Sequence, residues 1–141
     1  MAGYMTKLMG YVYDGAHVAA ENLQNGVLAV IAADGVKAAS TGDASFRVAP
    51  DGKTTLWGMP ALTLDVVKAC DELFLVENEW DINDNEEYDT SKYELKAGKL
   101  VRMHRLVAGD QFIMTVAESV YNAVNEGDAM ALAAGGTVAK A

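Results

Sequence analysis

The chain has 141 residues, of which 51% are apolar, and a formal net charge of −9. That is enough apolar material for one packed domain, and it excludes a disordered chain. The acidic balance argues against direct binding to nucleic acid or to an anionic membrane surface, since both need clustered Lys and Arg. A basic protein surface is the partner such a charge admits.

Cys70 is the only cysteine, so no intrachain disulfide is possible, and a reducing compartment is expected. No stretch approaches 18 consecutive apolar residues, and the first residues do not read as a signal peptide.

Residues 1–14 carry Tyr4, Leu8, Tyr11 and Tyr13 and read as extended, either an arm or a first strand. Residues 15–141 read as a β-rich domain. Asn25-Gly26 then opens a run, Val27-Leu28-Ala29-Val30-Ile31-Ala32-Ala33, that suits a buried strand. Asp34-Gly35 turns it back toward Lys37-Ala38. Residues 39–53 read as a polar connector. Trp57, in Leu56-Trp57-Gly58-Met59-Pro60, reads as a core or interface anchor.

Residues 62–73 admit two readings. Val66, Val67, Cys70 and Leu73 share one helical face with Thr63 as a possible N-cap, while the β-branched pair favours a strand. Leu73-Phe74-Leu75-Val76 is a strand flanked by acids. Residues 77–92 hold seven acids in sixteen positions and belong in a surface loop. Glycine turns at Gly98 and Gly109 precede strand-like runs at 99–107 and 111–116, and residues 117–124 fit a helical turn or a strand equally.

The earlier phrase returns at the end of the sequence. Glu126-Gly127 opens Asp128-Ala129-Met130-Ala131-Leu132-Ala133-Ala134, Gly135-Gly136 turns it, and Thr137-Val138-Ala139-Lys140 comes back. Both copies read as antiparallel hairpins. With the other glycine turns they predict a mainly β fold: a single-domain antiparallel sandwich or small barrel of the β-tulip kind, with a long acidic loop and room for one short helix.

Chemistry is sparse. Asp81-Ile82-Asn83-Asp84-Asn85-Glu86 has oxygen ligands at alternate positions. As a calcium loop it would put Glu86 where a glycine is needed and Lys92 where a bidentate Glu is needed. Cys70 lies in an apolar run, as inert buried thiols do, and His17 and His104 are the only histidines. No catalytic, metal or cofactor residues are assigned, and no enzyme activity or cofactor is expected.

The glycine-opened hairpin phrase, used twice, resembles the sequence style of capsid decoration (cement) proteins of tailed phages. The resemblance implies a structural virion protein on the capsid exterior, assembled in the host cytoplasm. It would bind the major capsid protein, bridge coat subunits and stabilise the expanded head, as a homotrimer. The partner contacts expected on that reading are Tyr4, Leu8, Tyr11, Tyr13 and Trp57. A head-fibre or tail component is a related alternative. A small β-barrel binding module for carbohydrate or metal is a distinct one, and it would use Trp57, Trp80, Tyr88 and Tyr93.

Overall fold

The computed structural model describes residues 2–8, 13–40, 42–69, 72–78 and 94–141. In chain order the strands are β1 (Gly3–Lys7), β2 (Tyr13–Asp14), β3 (Leu23–Gln24), β4 (Leu28–Ala32), β5 (Gly35–Ala38), β6 (Ser45–Leu56) and β7 (Met59–Lys68). They continue with β8 (Phe74–Val76), β9 (Glu94–Leu95), β10 (Met103–Arg105), β11 (Gln111–Thr115), β12 (Ala129–Ala133) and β13 (Thr137–Lys140). One helix, α1 (Glu118–Ala123), stands between β11 and β12.

The strands form a six-stranded sheet ordered β1-β11-β7-β6-β12-β13 and a five-stranded sheet ordered β2-β10-β8-β4-β5. A two-strand ribbon of β3 and β9 completes the set. Every strand pair is antiparallel. This is the sandwich-like, mainly β domain expected from the glycine turns.

Two apolar cores explain why some strands alternate in polarity and others do not. The larger lies between the two sheets. It takes Phe46, Leu62, Leu64, Phe112, Met114, Met130 and Val138 from the six-stranded sheet, and Leu28 and Leu75 from the five-stranded one. The smaller lies on the other face of the five-stranded sheet, where Ala29, Val36, Phe74, Val76 and Met103 meet Ala19, Leu23, Leu95 and Val101. Successive residues of β8 therefore enter opposite cores: Phe74 and Val76 one, Leu75 the other. A strand buried on both faces must be continuously apolar. The apolar run Leu28–Ile31 has this cause, with Leu28 and Val30 packed on the larger core and Ala29 and Ile31 on the smaller. By contrast β7 faces a core on one side only, so Leu62, Leu64 and Val66 are buried while Thr63, Asp65 and Val67 face outward.

Of the two readings of residues 62–73, the strand is the one found over Met59–Lys68, which pairs with both β6 and β11, and Thr63 lies opposite Ile113 instead of capping a helix. Burial at Leu62, Leu64 and Val66 follows a period of two, and pairing on both sides decides between the periodicities. The connector expected over residues 39–53 is corrected from Ser45 onward. Strand β6 starts at Ser45 and runs through Pro50-Asp51-Gly52, which the sheet absorbs as a bulge. The register passes from Val48 opposite Leu64 to Lys53 opposite Leu62, with Asp51 at φ 55°. The run at 99–107 is a strand only over Met103–Arg105, and the even choice at 117–124 falls to the helix. The acidic loop from residue 79 to residue 92, including the candidate calcium positions, lies outside the described residues, as do Tyr11 and Cys70.

The two copies of the repeated phrase are indeed hairpins. Ala29 pairs with Ala38 and Ala32 with Gly35 in the first. Ala131 pairs with Ala139 and Ala133 with Thr137 in the second. They belong to opposite sheets and meet at one glycine. The Leu28 N–H donates to the Gly136 carbonyl at 2.9 Å, and the Gly136 N–H donates to the Ala39 carbonyl at 2.7 Å. The turn of the second hairpin is thus clasped by the base of the first.

At the exit of β8, the Asn25 side chain acts as a substitute strand. Its Oδ1 accepts from the Asn78 N–H at 2.7 Å and its Nδ2 donates to the Asn78 carbonyl at 3.2 Å, both buried. Buried backbone groups need such partners.

Candidate interaction surface

Of the two readings of residues 1–14, Gly3–Lys7 takes the strand. Ala2 is buried, its N–H donates to Thr115 Oγ1 at 3.0 Å, and the Thr115 N–H donates to its carbonyl at 2.9 Å. Strand β1 then pairs with β11 as an edge of the six-stranded sheet. Its outward side is partly covered: Glu77 Oε2 accepts from the Met5 N–H at 3.3 Å and lies 3.4 Å from His104 Nε2. One carboxylate on the exit of β8 thereby ties an edge of one sheet to a strand of the other. His104 is only partly exposed at this seam.

The residues expected to meet a partner do not converge. Tyr4 is 44% exposed on the outer face of the six-stranded sheet, opposite Ile113, and Leu8 is exposed just past the strand. Tyr13 is on β2, an edge of the other sheet, opposite His104. Trp57 occupies the β6–β7 turn and is 53% exposed. Ile113 pairs with Thr63, six residues along the chain from Trp57, so Tyr4 and Trp57 lie on the order of 20 Å apart at the usual rise per residue. Two separate patches result, one around β1 and one at the hairpin tip.

Beyond Tyr4, on the side away from Trp57, the outer face is polar. Thr6 Oγ1 donates to Gln111 Oε1 at 3.0 Å, Gln111 Nε2 donates to Asp65 Oδ1 at 2.8 Å, and Asp65 stands opposite Arg47. Such a cross-strand row suits solvent and fixes register.

Sequence reasoning missed a groove at the Trp57 end. Helix α1 lies across this end of the sandwich against β7 and β13. Between helix and strands is an open cavity of about 310 Å³ lined by Met59, Thr115, Val116, Val120, Thr137 and Val138. Its wall is largely apolar and carries no charged side chain. No local signal marks it, because its residues come from four elements that only the fold assembles. Among the described residues, no group of three or more His, Cys, Asp or Glu is placed to hold a metal ion, and no helix is long and apolar enough to cross a membrane.

Among the described residues, the fold and surface define a sandwich-like β domain with exposed aromatics at two separated places, Tyr4 and Trp57, and an apolar groove beside Trp57. No family model, no curated protein and no solved structure matches the chain.

Proposed function

We propose that this chain is a structural protein of a tailed-phage head, bound to the outer surface of the expanded capsid, where it bridges coat subunits. The observation that carries the reading is the pair of glycine-opened hairpins, one in each sheet, clasped at Gly136. They build a doubly cored, rigid block from the sequence style that resembles decoration proteins. A block that touches several coat subunits gains effective concentration with each added contact, so weak patches suffice.

The patch proposed for the coat contacts is Tyr4 and Leu8 with Tyr11 and Tyr13 of the same segment, and Trp57 at the far tip is left for contact with a neighbouring copy. The partner is the major capsid protein, and the protein acts as a homo-oligomer, a trimer on the family resemblance. The net charge of −9 suits a basic or neutral coat surface and not the packaged nucleic acid.

The test is pelleting of purified protein with heads that lack it, both before and after expansion. Saturable binding to expanded heads with little to unexpanded ones is expected. Failure to pellet with either form overturns the proposal.

A further inference from the structure

We propose that Trp57 and the groove beside it form a self-association surface, in which the indole of one copy seats in the Met59–Val116–Val120–Val138 groove of a second copy of this chain. The inference assigns a place to the self-association that the decoration reading calls for.

The first ground is backbone strain. Trp57 and Gly58 form the two-residue turn of the longest hairpin, with φ of 54° and 75°. Both central residues at positive φ are the mark of a type I′ turn, which favours Asn-Gly. A tryptophan is unfavourable in that position, and here it leaves 53% of its surface exposed. A strained residue that keeps so large an apolar surface in solvent points to a role outside its own fold.

The second ground is geometry. Knob and groove are neighbours: Leu56 pairs with Met59 across the turn, and Met59 lines the groove. An indole seated in the groove of the next copy is a head-to-tail contact, and with knob and receptor side by side it can close into a small ring, such as a trimer, instead of extending into a filament.

The third ground is charge. The molecule carries −9, so most faces of two copies repel. The tip (Thr54, Thr55, Leu56, Trp57, Gly58, Met59) and the groove lining carry no charge. The charges flanking this region are Glu118 in the first turn of α1 and Lys53 over the Tyr121 ring, one of each sign, so two copies meet here with less repulsion than the net charge gives elsewhere.

One aromatic anchor per copy with limited surrounding area belongs among small interfaces, below roughly 1,200 Å² in total. Association in the tens to hundreds of micromolar is therefore expected.

Sedimentation equilibrium of the free protein from about 5 to 500 µM tests this without any capsid, so its failure leaves the pelleting result untouched. The wild-type mass should rise with concentration toward a closed oligomer. Trp57→Asn should remain monomeric throughout while its Tm stays level or rises by about 2–4 °C, because Asn suits the turn. Val120→Lys, which alters the groove wall and leaves the tip intact, should also lose association. A wild-type chain that is monomeric over the whole range, or association persisting in either variant, overturns the proposal.

Discussion

Replacing Gly136 by alanine is expected to destabilise the protein by about 3 kcal/mol or more, while the same change at Gly135 costs only about 1 kcal/mol. The two glycines are adjacent and have nearly the same backbone, φ 72° and 76°. Alanine at either must hold a left-handed conformation. Their surroundings differ. A Cβ on Gly135 meets nothing within 4 Å. A Cβ on Gly136 would press on the Leu28 carbonyl oxygen and come within 2.6 Å of Val27 Cγ1 and 3.1 Å of the Leu28 nitrogen. Neither backbone atom can withdraw without loosening the bonds by which Leu28 and Ala39 hold Gly136. Thermal unfolding of both variants isolates the clash from the φ cost. A Tm loss of roughly 10 °C for Gly136→Ala against about 3–4 °C for Gly135→Ala is the expected pattern. Equal losses would mean that the clasp between the two hairpins contributes nothing.

The largest side-chain effect is expected at Phe112. It is fully buried, and its ring meets Phe46 edge to face, with centroids 5.6 Å apart and planes at 86°. The two rings flank β7 from β11 and β6, above Leu64 and Val66. They therefore fasten three strands of one sheet in the main core. Phe112→Ala removes the transfer free energy of the ring and leaves a cavity that the flanking strands cannot fill. About 3–5 kcal/mol is expected. Phe46→Ala should cost a similar amount. Because the rings touch, the two losses should not add, and a double-mutant cycle in urea should show a coupling of about 0.5–1.5 kcal/mol. Strict additivity would contradict the packing.

The hairpins could be read from sequence because glycine leaves a local signature. Gly26, Gly98, Gly109 and Gly127 all stand at positive φ, between 81° and 93°, and each marks a turn from residue type alone. The strand at Phe74–Val76 was legible for another reason: an unbroken apolar triplet needs cover on both faces, and two cores provide it. Pro50 and Gly52 misled because they are turn residues by habit. The sheet takes them up as a bulge, and only the pairing of Ser45–Val48 with β7 shows that the strand continues. The alternation Phe46, Val48 was present beside them and carried the correct signal. At Leu62–Leu73 two periodicities shared the same residues, and long-range pairing with β11 chose between them.

The candidate surface was only partly legible. Trp57 stood out as an isolated large aromatic, and the structure places it at an exposed tip. Tyr4 stood out likewise, yet its strand is pinned through Ala2 and Thr115 instead of hanging free. Removing residues 2–13 would therefore strip an edge from the sheet as well as any partner contact, so single substitutions at Tyr4 or Leu8 are the cleaner probe of that patch. The groove was illegible, because Met59, Val116, Val120 and Val138 are ordinary apolar residues until α1 brings them together.

A frame built in this way suits a mechanical role. Two cores and an inter-sheet clasp resist local opening, and contacts at separated points let one subunit hold neighbours together. The most direct measurement is electron cryomicroscopy of expanded heads reconstituted with this chain. Ordered density matching the two-sheet domain, seated on the outside of the shell and touching more than one coat subunit, is the expected result. Heads whose exterior is bare at saturating protein, or density confined to the interior or the tail, would contradict it.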